Sequence, residues 1–481
     1  MPNFFWKFRL ILLLSISGHY CQWAPRQDTI SNDLSDKTCS LEELDHSILV
    51  ECDQDSNCKK NRPTGGAANQ EEFSYNLVHI YSSRCGDRLN YKPLEVMNLI
   101  ENDFDRSFNI NSTLTVLTSP SERLTSSNYV YGFGATLNLV DLLRSLQDGT
   151  LSRSYKPLMN DLFSDSGARI SILRLVLSNE TIACMDIGKV IQVLDELLVD
   201  VGGSGKKIDL ILDLGSLEWS ASVDETLTQM SKDLGPIRAI ESLTLANNSR
   251  SFFSQGSNIV ASNVTDTSMM ANIAPRVRSF SEAANFVQGQ KLINLNKLII
   301  ETDSPSPYDI LNQVRQSGNF SIFTVTRPRL RRSLLGDWHN AKDYAVEILN
   351  HLIHGSNAII DPSSTLNVVP GQTPGDARDA PLYNIDPPTL RTHLRGPMYY
   401  AMSQFSRYLP RNSIPLKTDL FTQPNMFAAH YAAFLDPLDR IVAIVLNDND
   451  HMLPFRLAVD GEIKAYILLK PKSFNTFILK R

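Results

Sequence analysis

Strand-like and helix-like patterns of apolar residues alternate through the middle of the chain. Four apolar runs are typical of buried parallel strands: 170–177, 208–212, 243–246 and 298–300. Elsewhere apolar residues recur at helical spacing, as in the segment 139–146 that follows the predicted helix cap Asn138. Because this alternation predicts a parallel sheet with right-handed crossovers, we expect an α/β fold, an irregular β/α barrel of the TIM type.

The two ends of the chain show a different pattern, with short runs that alternate like strands of an antiparallel sheet. Two such runs, 73–81 and 113–117, precede the barrel pattern, and four follow it, at 441–446, 455–459, 464–468 and 476–479. Neither end has enough strands to bury a face alone. We therefore expect segments 25–125 and 421–481 to form one antiparallel β-sandwich beside a barrel at 126–420.

The first residues have the pattern of a signal peptide, which we place at 1–24. Lys7 and Arg9 precede an apolar run from Leu10 to Ile16, and small and polar residues follow to Ala24. The run is too short to span a bilayer, and no later run reaches that length. We expect a protein of the secretory pathway, either lysosomal or secreted.

The cysteines and glycosylation sequons fit that compartment. Cys39, Cys52 and Cys58 lie close together, which favours a disulfide cluster over a zinc site because no pair of His residues accompanies them. Five cysteines follow the leader, so at least one thiol is expected to be free. Five sequons predict a glycoprotein: Asn111, Asn179, Asn247, Asn263 and Asn319.

Composition and motifs exclude several other functions. A net charge of -6 and a pI near 5.9 give no general attraction to nucleic acid. The glycine-rich segment 202–205 lacks the Lys and Ser of a phosphate-binding loop, and His351 and His354 are expected on a helix surface rather than at a metal. We expect no metal and no other cofactor.

Several strings resemble the glucosylceramidases of glycoside hydrolase family 30. The segment 396–410, with Gly-Pro-Met-Tyr-Tyr and Phe-Ser-Arg-Tyr-Leu-Pro, resembles the P-M-F/Y-Y and F-S-K-F-I-P strings of that family. Gly132-Phe133-Gly134 is similar to its G-F-G-G, Leu335-Gly336 with Trp338 and Tyr344 to L-G-S-W-D-x-x-x-x-Y, and 444–447 to V-V-L-N. The resemblance covers most of the chain from Cys39 onward. It implies a β/α barrel with an attached β-sandwich and a retaining β-glucosidase mechanism.

The family's general acid/base is replaced in this sequence. Its T-A-E-N-E-P motif matches Thr244 to Ser249, so that Asn247 keeps the amide that contacts a sugar hydroxyl in the family. Asn248 stands where the acid/base Glu is expected. A side-chain amide cannot protonate a leaving group. Ser249, which stands where the motif has Pro, completes the sequon at Asn247.

The family's nucleophile, in L-F-A-S-E, has two possible counterparts here. With a one-residue gap in the alignment Glu301 is the nucleophile, which is the alignment we favour, and without the gap Thr302 takes its place. Asp303 is a further candidate, and an ion pair on the surface at a strand end is the alternative role for Glu301. The short distance between Asn248 and Glu301 predicts that at least one barrel unit is shortened or missing.

Other sugar-contacting positions are partly retained. Arg174 matches an Arg that the family keeps, and Trp219 matches a Trp that could stack on a sugar, although a Trp at a strand end is more often simply packed. Four polar or aromatic positions of the family are replaced: Leu139, Thr181, Leu214 and Ser356.

Two functions remain open from the sequence. In the first, the protein hydrolyses a β-glucoside such as glucosylceramide, with Glu301 as nucleophile and Asp213, Glu218 or Asp361 as a substitute acid. In the second, it is a catalytically impaired member of the family that binds glycolipid, glycan or a protein partner. The resemblance implies a saposin-like activator and action at a membrane surface as a peripheral protein.

Overall fold

The computed structural model describes most of the barrel and of the side sheet. The residues described are 49–52, 58–61, 75–81, 112–119, 129–165, 167–177, 187–203, 205–214, 229–230, 232–235, 237–248, 273–289, 296–302, 308–326, 338–362, 365–367, 382–385, 393–395, 397–422, 430–449, 451–469 and 473–480.

The described part of the chain forms strands and helices in the following order. The strands are β1 (Leu49–Cys52), β2 (Cys58–Asn61), β3 (Tyr75–Tyr81), β4 (Ser112–Leu117), β5 (Gly132–Asn138), β6 (Ile172–Val176), β7 (Ile208–Asp213), β8 (Ile240–Asn248), β9 (Ile273–Val277), β10 (Lys297–Thr302), β11 (Ser321–Thr326), β12 (Ala358–Ile360), β13 (Thr365–Asn367), β14 (Tyr383–Ile385), β15 (His393–Arg395), β16 (Ile414–Thr422), β17 (His430–Leu435), β18 (Arg440–Asn447), β19 (Leu453–Val459), β20 (Glu462–Leu469) and β21 (Ser473–Lys480). The described helices are α1 (Leu139–Gln147), α2 (Leu151–Ser154), α3 (Lys156–Phe163), α4 (Ile187–Gly203), α5 (Phe280–Gly289), α6 (Tyr308–Gln316), α7 (Trp338–Ile353) and α8 (Pro397–Tyr408).

Strands β5 to β12 form a closed barrel, which confirms the predicted fold class. Neighbouring strands pair in parallel, and β12 closes the ring on β5 with Ile360 opposite Gly134. The barrel has the full eight strands, so no strand is missing between Asn248 and Glu301. Only β9 lies between the strands that carry these two residues.

Side chains along β10 alternate between the barrel interior and the outer helices. Ile299 packs inside the barrel with Phe323 and Val325 of the next strand. Leu298 and Ile300 pack outward, against the side chains of α5 and α6. Glu301 therefore shares the inward face of Ile299, and Thr302 shares the outward face.

Gly134 lies where the barrel wall leaves no room for a side chain. A Cβ on Gly134 would lie 2.8 Å from Ile360 Cγ1 and 3.3 Å from Ile172 Cβ, both inside the barrel. We expect Gly134→Ala to lower the free energy of unfolding by about 1–3 kcal/mol through overpacking, measured by urea denaturation. Gly203→Ala, at the end of α4 with nothing within 4 Å, is the matched control. The control is expected to be neutral or to stabilise the helix by up to about 1 kcal/mol, and equal losses in both variants would contradict this assignment.

The side sheet joins strands from both ends of the chain. Its eight strands run in the order β20-β19-β4-β16-β17-β18-β21-β3. Its pairs are antiparallel except β4 with β19. Strand β16 begins at Ile414, before the predicted boundary at residue 421. It pairs with β17 and with β4, so it joins one half of the sheet, which contains β17, β18, β21 and β3, to the other half, which contains β4, β19 and β20. The halves enclose a common apolar core that includes Leu114, Phe455 and Phe477.

Strands β1 and β2 depart from the expected arrangement. They belong to a separate five-stranded sheet with β13, β14 and β15, in which Val50 lies opposite Leu394. Part of segment 25–125 thus pairs with strands that follow the barrel instead of joining the sandwich. The hairpin register places Cys52 opposite Cys58, while Cys39 lies outside the described residues and the disulfide cluster stays a prediction.

Helices α7 and α8 fix the side sheet against the barrel. Phe405 of α8 packs on Phe474 of β21 with ring centroids 5.3 Å apart, and the Thr476 hydroxyl donates a hydrogen bond of 2.8 Å to Gln404 Oε1. The barrel and sheet therefore share a continuous apolar core. None of the helices in the described part of the chain is long and apolar enough to cross a membrane.

Candidate active site at the barrel mouth

Four charged side chains meet inside the barrel near the carboxyl ends of its strands. Arg174 comes from β6, Asp213 from β7, Arg276 from β9 and Glu301 from β10. They occupy the edge of the barrel where catalytic residues of this architecture lie. We refer to these four residues as the mouth cluster.

Asp213 is the centre of the mouth cluster. Arg174 Nε donates a hydrogen bond of 2.9 Å to Asp213 Oδ2, and Arg276 Nη1 lies 3.1 and 3.0 Å from the two Asp213 oxygens. Glu301 Oε2 lies 3.5 Å from Arg276 Nη1 and 3.9 Å from Arg174 Nη2. The side chains of Arg174 and Asp213 are 3% and 0% exposed, and those of Arg276 and Glu301 11% and 12%. The four formal charges sum to zero in a space largely closed to water.

The structure distinguishes between the two candidates for the nucleophile that β10 carries. Glu301 points into the barrel, whereas Thr302 is buried on the outer side. Glu301 is also in ion pairs, as the alternative role predicts, but with partners inside the barrel instead of on the surface. Its carboxyl group therefore faces the barrel mouth, where a nucleophile has to lie. Asp303 lies outside the described residues.

Neither of the described substitute acids is placed to donate a proton. Asp213 accepts hydrogen bonds from two guanidinium groups and is therefore held as a carboxylate. Asp361 is fully buried and accepts a hydrogen bond of 3.0 Å from Tyr344 Oη. Burial first, and then the Asp361 charge, raise the pKa of Tyr344, so this phenol stays a donor to Asp361. Glu218 lies outside the described residues.

Strand β8 ends at the position where the family has its acid. Asn248 is the last residue of β8 and lies opposite Arg276 in the register with β9, while Asn247 lies opposite Pro275. The nearest inward charge on the next strand is therefore a cation. Trp219 and Thr181 lie outside the described residues. The role of Trp219 in stacking on a sugar stays a prediction.

The replaced positions that the structure describes are packing residues. Leu139 and Leu214 are buried in the main apolar core, where neither can hydrogen bond a sugar hydroxyl. Ser356 is also buried, and its hydroxyl lies 2.7 Å from that of Thr324. Arg174, the position that the resemblance keeps, points instead into the mouth cluster.

Strand β11 provides a second match to the nucleophile motif. Ile322 to Thr326 align with L-F-A-S-E without a gap and match its Phe at Phe323. In this alignment Thr326 takes the place of the Glu, and it is buried. The motif can match only one of the two strands, β10 or β11. Only the match to β10 places a carboxylate, that of Glu301, at the position of the nucleophile.

The expected surface position of His351 is wrong. The ring is 1% exposed and has Phe280 and Tyr308 packed edge-on against it, at 5.8 and 5.3 Å, because this face of α7 lies against α5 and α6. Its Nε2 lies 3.5 Å from Glu347. His354, one turn later, is partly exposed and stacks on Tyr308. Within the described ranges, no group of three or more His, Cys, Asp or Glu could hold a metal ion.

Similarity to known sequences is weak. No family model matches the chain. Over 149 residues, which are 31% of this chain, it is 25% identical to a Caenorhabditis elegans protein named "Putative glucosylceramidase 3". The matched stretch covers only 28% of that relative.

Similarity to solved structures is broader. SrfJ from Salmonella typhimurium superposes with a TM-score of 0.58 at 12% identity, over 77% of this chain and 93% of that protein. An endo-beta1,6-glucanase gives 0.58 at 14% identity, over 85% and 100%. A family 30 endoxylanase from Clostridium papyrosolvens gives 0.51 at 12% identity, over 77% and 100%. Together with the sequence match, these likenesses confirm the predicted resemblance: the chain is divergent and has the fold of a family-30-like glycoside hydrolase.

Proposed function

We propose that the barrel mouth binds the sugar of a β-glucoside, of the glucosylceramide type, and hydrolyses it very slowly or not at all. One observation carries this proposal. The position of the acid is Asn248, and the carboxylates described at the mouth, Asp213 and Glu301, are paired with two guanidinium groups. A sugar can still be held there by amides and charged donors, which suit hydroxyl groups.

A slow retaining β-glucosidase is the second candidate. Glu301 and Asp213 both lie against Arg276 Nη1, at 3.5 and 3.0 Å, so two carboxyl groups share one cation at the barrel mouth. Glu301 faces the barrel interior, as a nucleophile at the mouth must. Such an enzyme would still lack a proton donor for a poor leaving group.

Two substrates with different leaving groups separate these candidates. The aryl group of an activated β-glucoside leaves without being protonated. Ceramide, by contrast, leaves glucosylceramide only with the help of an acid, and loss of that acid costs about 10² to 10⁴ in rate. If Glu301 is a nucleophile, we expect slow release of the aryl group or an accumulating glycosyl-enzyme, detected by mass spectrometry, and almost no release of ceramide.

The control variant is Glu301→Gln, which is expected to abolish any aryl release while calorimetric binding of a β-glucoside remains. Binding without turnover in the wild type supports the non-hydrolytic function. Rapid hydrolysis of glucosylceramide by the wild type would refute the proposal, because it would require a working acid at the mouth.

The cellular setting follows from the same proposal. A protein of the secretory pathway, in the lysosome or outside the cell, would meet glycolipids at a membrane surface. Because the sugar head group must leave that surface to enter the barrel, a saposin-like activator that lifts the lipid is the partner we propose. Its effect can be measured as glycolipid binding to the protein with and without the activator.

A further inference from the structure

The amino-terminal end of the barrel holds a second group of polar and aromatic side chains. Lys297, the first residue of β10, lies on the inward face of that strand. Thr244 of β8 and Phe323 of β11 face the same space, and Tyr131 packs beside it just before β5. Because Lys297 is four residues before Glu301 on one strand, this group lies about 13 Å from the mouth cluster.

The amine of Lys297 is held against a hydroxyl group and two aromatic rings. Its Nζ donates a hydrogen bond of 2.9 Å to Thr244 Oγ1. The same atom lies 5.5 Å from the ring centroid of Tyr131 and 5.7 Å from that of Phe323, and the two rings contact each other, with centroids 4.8 Å apart. Lys297 is nevertheless partly exposed, so its amine is within reach of small molecules from solvent.

The carboxylate that acts on this amine is already paired with another cation. Asp209 of β7 is 2% exposed, and Arg411 Nη2 and Ser242 Oγ donate hydrogen bonds to its two oxygens. Arg411 also stacks on the Tyr131 ring, with Cζ 4.3 Å from the centroid. Lys297 therefore shares the charge of Asp209 with a guanidinium group that binds it directly.

These surroundings disfavour the ammonium form of Lys297. Burial lowers the pKa of Lys297, Asp209 opposes that shift, and Arg411 adds to it. A lysine that is desolvated and close to another cation is a nucleophile toward carbonyl compounds, because more of it is present as the neutral amine. Burial first, and then the charge of Asp209, raise the pKa of Tyr131 to about 12, so the phenol beside the amine stays uncharged at neutral pH.

The two aromatic rings favour a different cation from the ammonium group. A protonated imine spreads its charge over nitrogen and carbon, so it is hydrated less strongly than an ammonium group and loses less when it is buried. The faces of the Tyr131 and Phe323 rings attract such a cation. The same space therefore promotes the neutral amine as reactant and the iminium ion as product.

We propose that Lys297 captures a small aldehyde as a protonated imine. The neutral amine attacks the carbonyl carbon, and an amine proton passes to the carbonyl oxygen to give a carbinolamine. The hydroxyl group then leaves as water with one proton from solvent, and a C=N bond with one positive charge remains. No oxidant or reductant is consumed. The site is separate from the barrel mouth and does not depend on the function proposed there.

The test is reductive trapping on the full chain. The protein is incubated at pH 7 with glycolaldehyde and sodium cyanoborohydride, which reduces the iminium ion to a stable secondary amine, and each labelled lysine is quantified by peptide mass spectrometry. We expect Lys297 to react at least about tenfold faster than Lys207, an exposed lysine at the same end of the barrel. The labelling rate of Lys297 should also level off at a lower pH, because its amine loses its proton first.

An acylating reagent separates imine formation from nucleophilicity alone. Sulfosuccinimidyl acetate converts an amine to a neutral amide, which gains nothing from the aromatic rings. The preference for Lys297 over Lys207 should therefore be about threefold or more greater with the aldehyde than with this ester. Tyr131→Leu, which removes one ring, should reduce that difference, and the conservative change Tyr131→Phe, which keeps the ring, should retain it.

Three results would overturn the proposal. Labelling of Lys297 no faster than that of Lys207 would mean that the amine is not activated. An equal preference with the aldehyde and the ester would mean a reactive amine without a site for the imine, and the full preference in Tyr131→Leu would mean that the ring does not hold the iminium ion. Thermal midpoints verify that both Tyr131 variants fold, and the comparison of the two reagents needs only the wild type.

Discussion

The single variant Asn248→Glu is expected to leave glucosylceramide intact. The double variant Asn248→Glu with Arg276→Met is expected to release ceramide at least about 10² times faster than the single variant. The difference arises from the register of β8 with β9, where position 248 lies directly opposite Arg276. A carboxyl group placed there alone would pair with the guanidinium and stay ionised. A general acid must be protonated before it reacts. Without Arg276 the new carboxyl faces an apolar side chain, which raises its pKa toward that of a working acid.

The control for this prediction is Asn248→Gln with Arg276→Met, which has the same packing without the carboxyl group. It should be as inactive as the wild type when released ceramide is measured by mass spectrometry. If the single variant is already as active as the double variant, Arg276 does not suppress the acid. If the double variant gains nothing while it folds and still binds the glucoside, Glu301 is not the nucleophile, and the match of L-F-A-S-E to β11 becomes the better one.

Most of the fold could be predicted from the sequence because local periodicity decides it. The apolar runs at 208–212 and 298–300 lie within β7 and β10, and the runs near each end of the chain became strands of one sheet. Strands β1 and β2 could not be placed in the same way. Their partners, such as β15, follow the barrel in the chain, and short runs carry no information on distant pairing.

The candidate site was predictable only where a motif marks it. Asn248 and Glu301 stand out because a family string identifies their positions, and β-strand alternation then places Glu301 inside the barrel. Arg276 was missed because no motif includes it, although a single Arg two residues after Ala274 in a short apolar strand is a signal of an inward charge. Its pairing with Asp213 exists only after β7 and β9 take their places in the ring.

Helix faces show the same limit. His351 has the spacing of a residue near the helix surface, yet the side of α7 that carries it is covered by Phe280 of α5 and Tyr308 of α6. Which face of a barrel helix meets its neighbours depends on the packing angle between helices, and a sequence period defines the apolar stripe but not its borders. A polar residue at the border can therefore lie on either side.

The mouth cluster should also matter for stability, and Asp213→Asn tests this. The change leaves the Arg174 guanidinium, 3% exposed, without its closest counter-charge, and breaking a buried pair in this way costs about 3–5 kcal/mol of unfolding free energy. The measurement is the urea or thermal transition of the barrel. Asp141→Asn is the matched control because its pair with Arg144, one helical turn away, is partly exposed, with side chains 29% and 40% accessible, and the loss is expected to be about 0.5 kcal/mol or less.

A double-mutant cycle tells an electrostatic loss from a packing loss. In the background of Arg276→Met, one of the two cations that surround Asp213 is gone, so Asp213→Asn should cost less there than in the wild type, by a coupling of about 0.5–3 kcal/mol. Equal costs in both backgrounds would mean that Asp213 acts through its shape and through Arg174 alone. In that case Arg276 would be held mainly by Glu301, whose oxygen lies 3.5 Å from it, and Glu301→Gln should then be the change that couples to Arg276→Met.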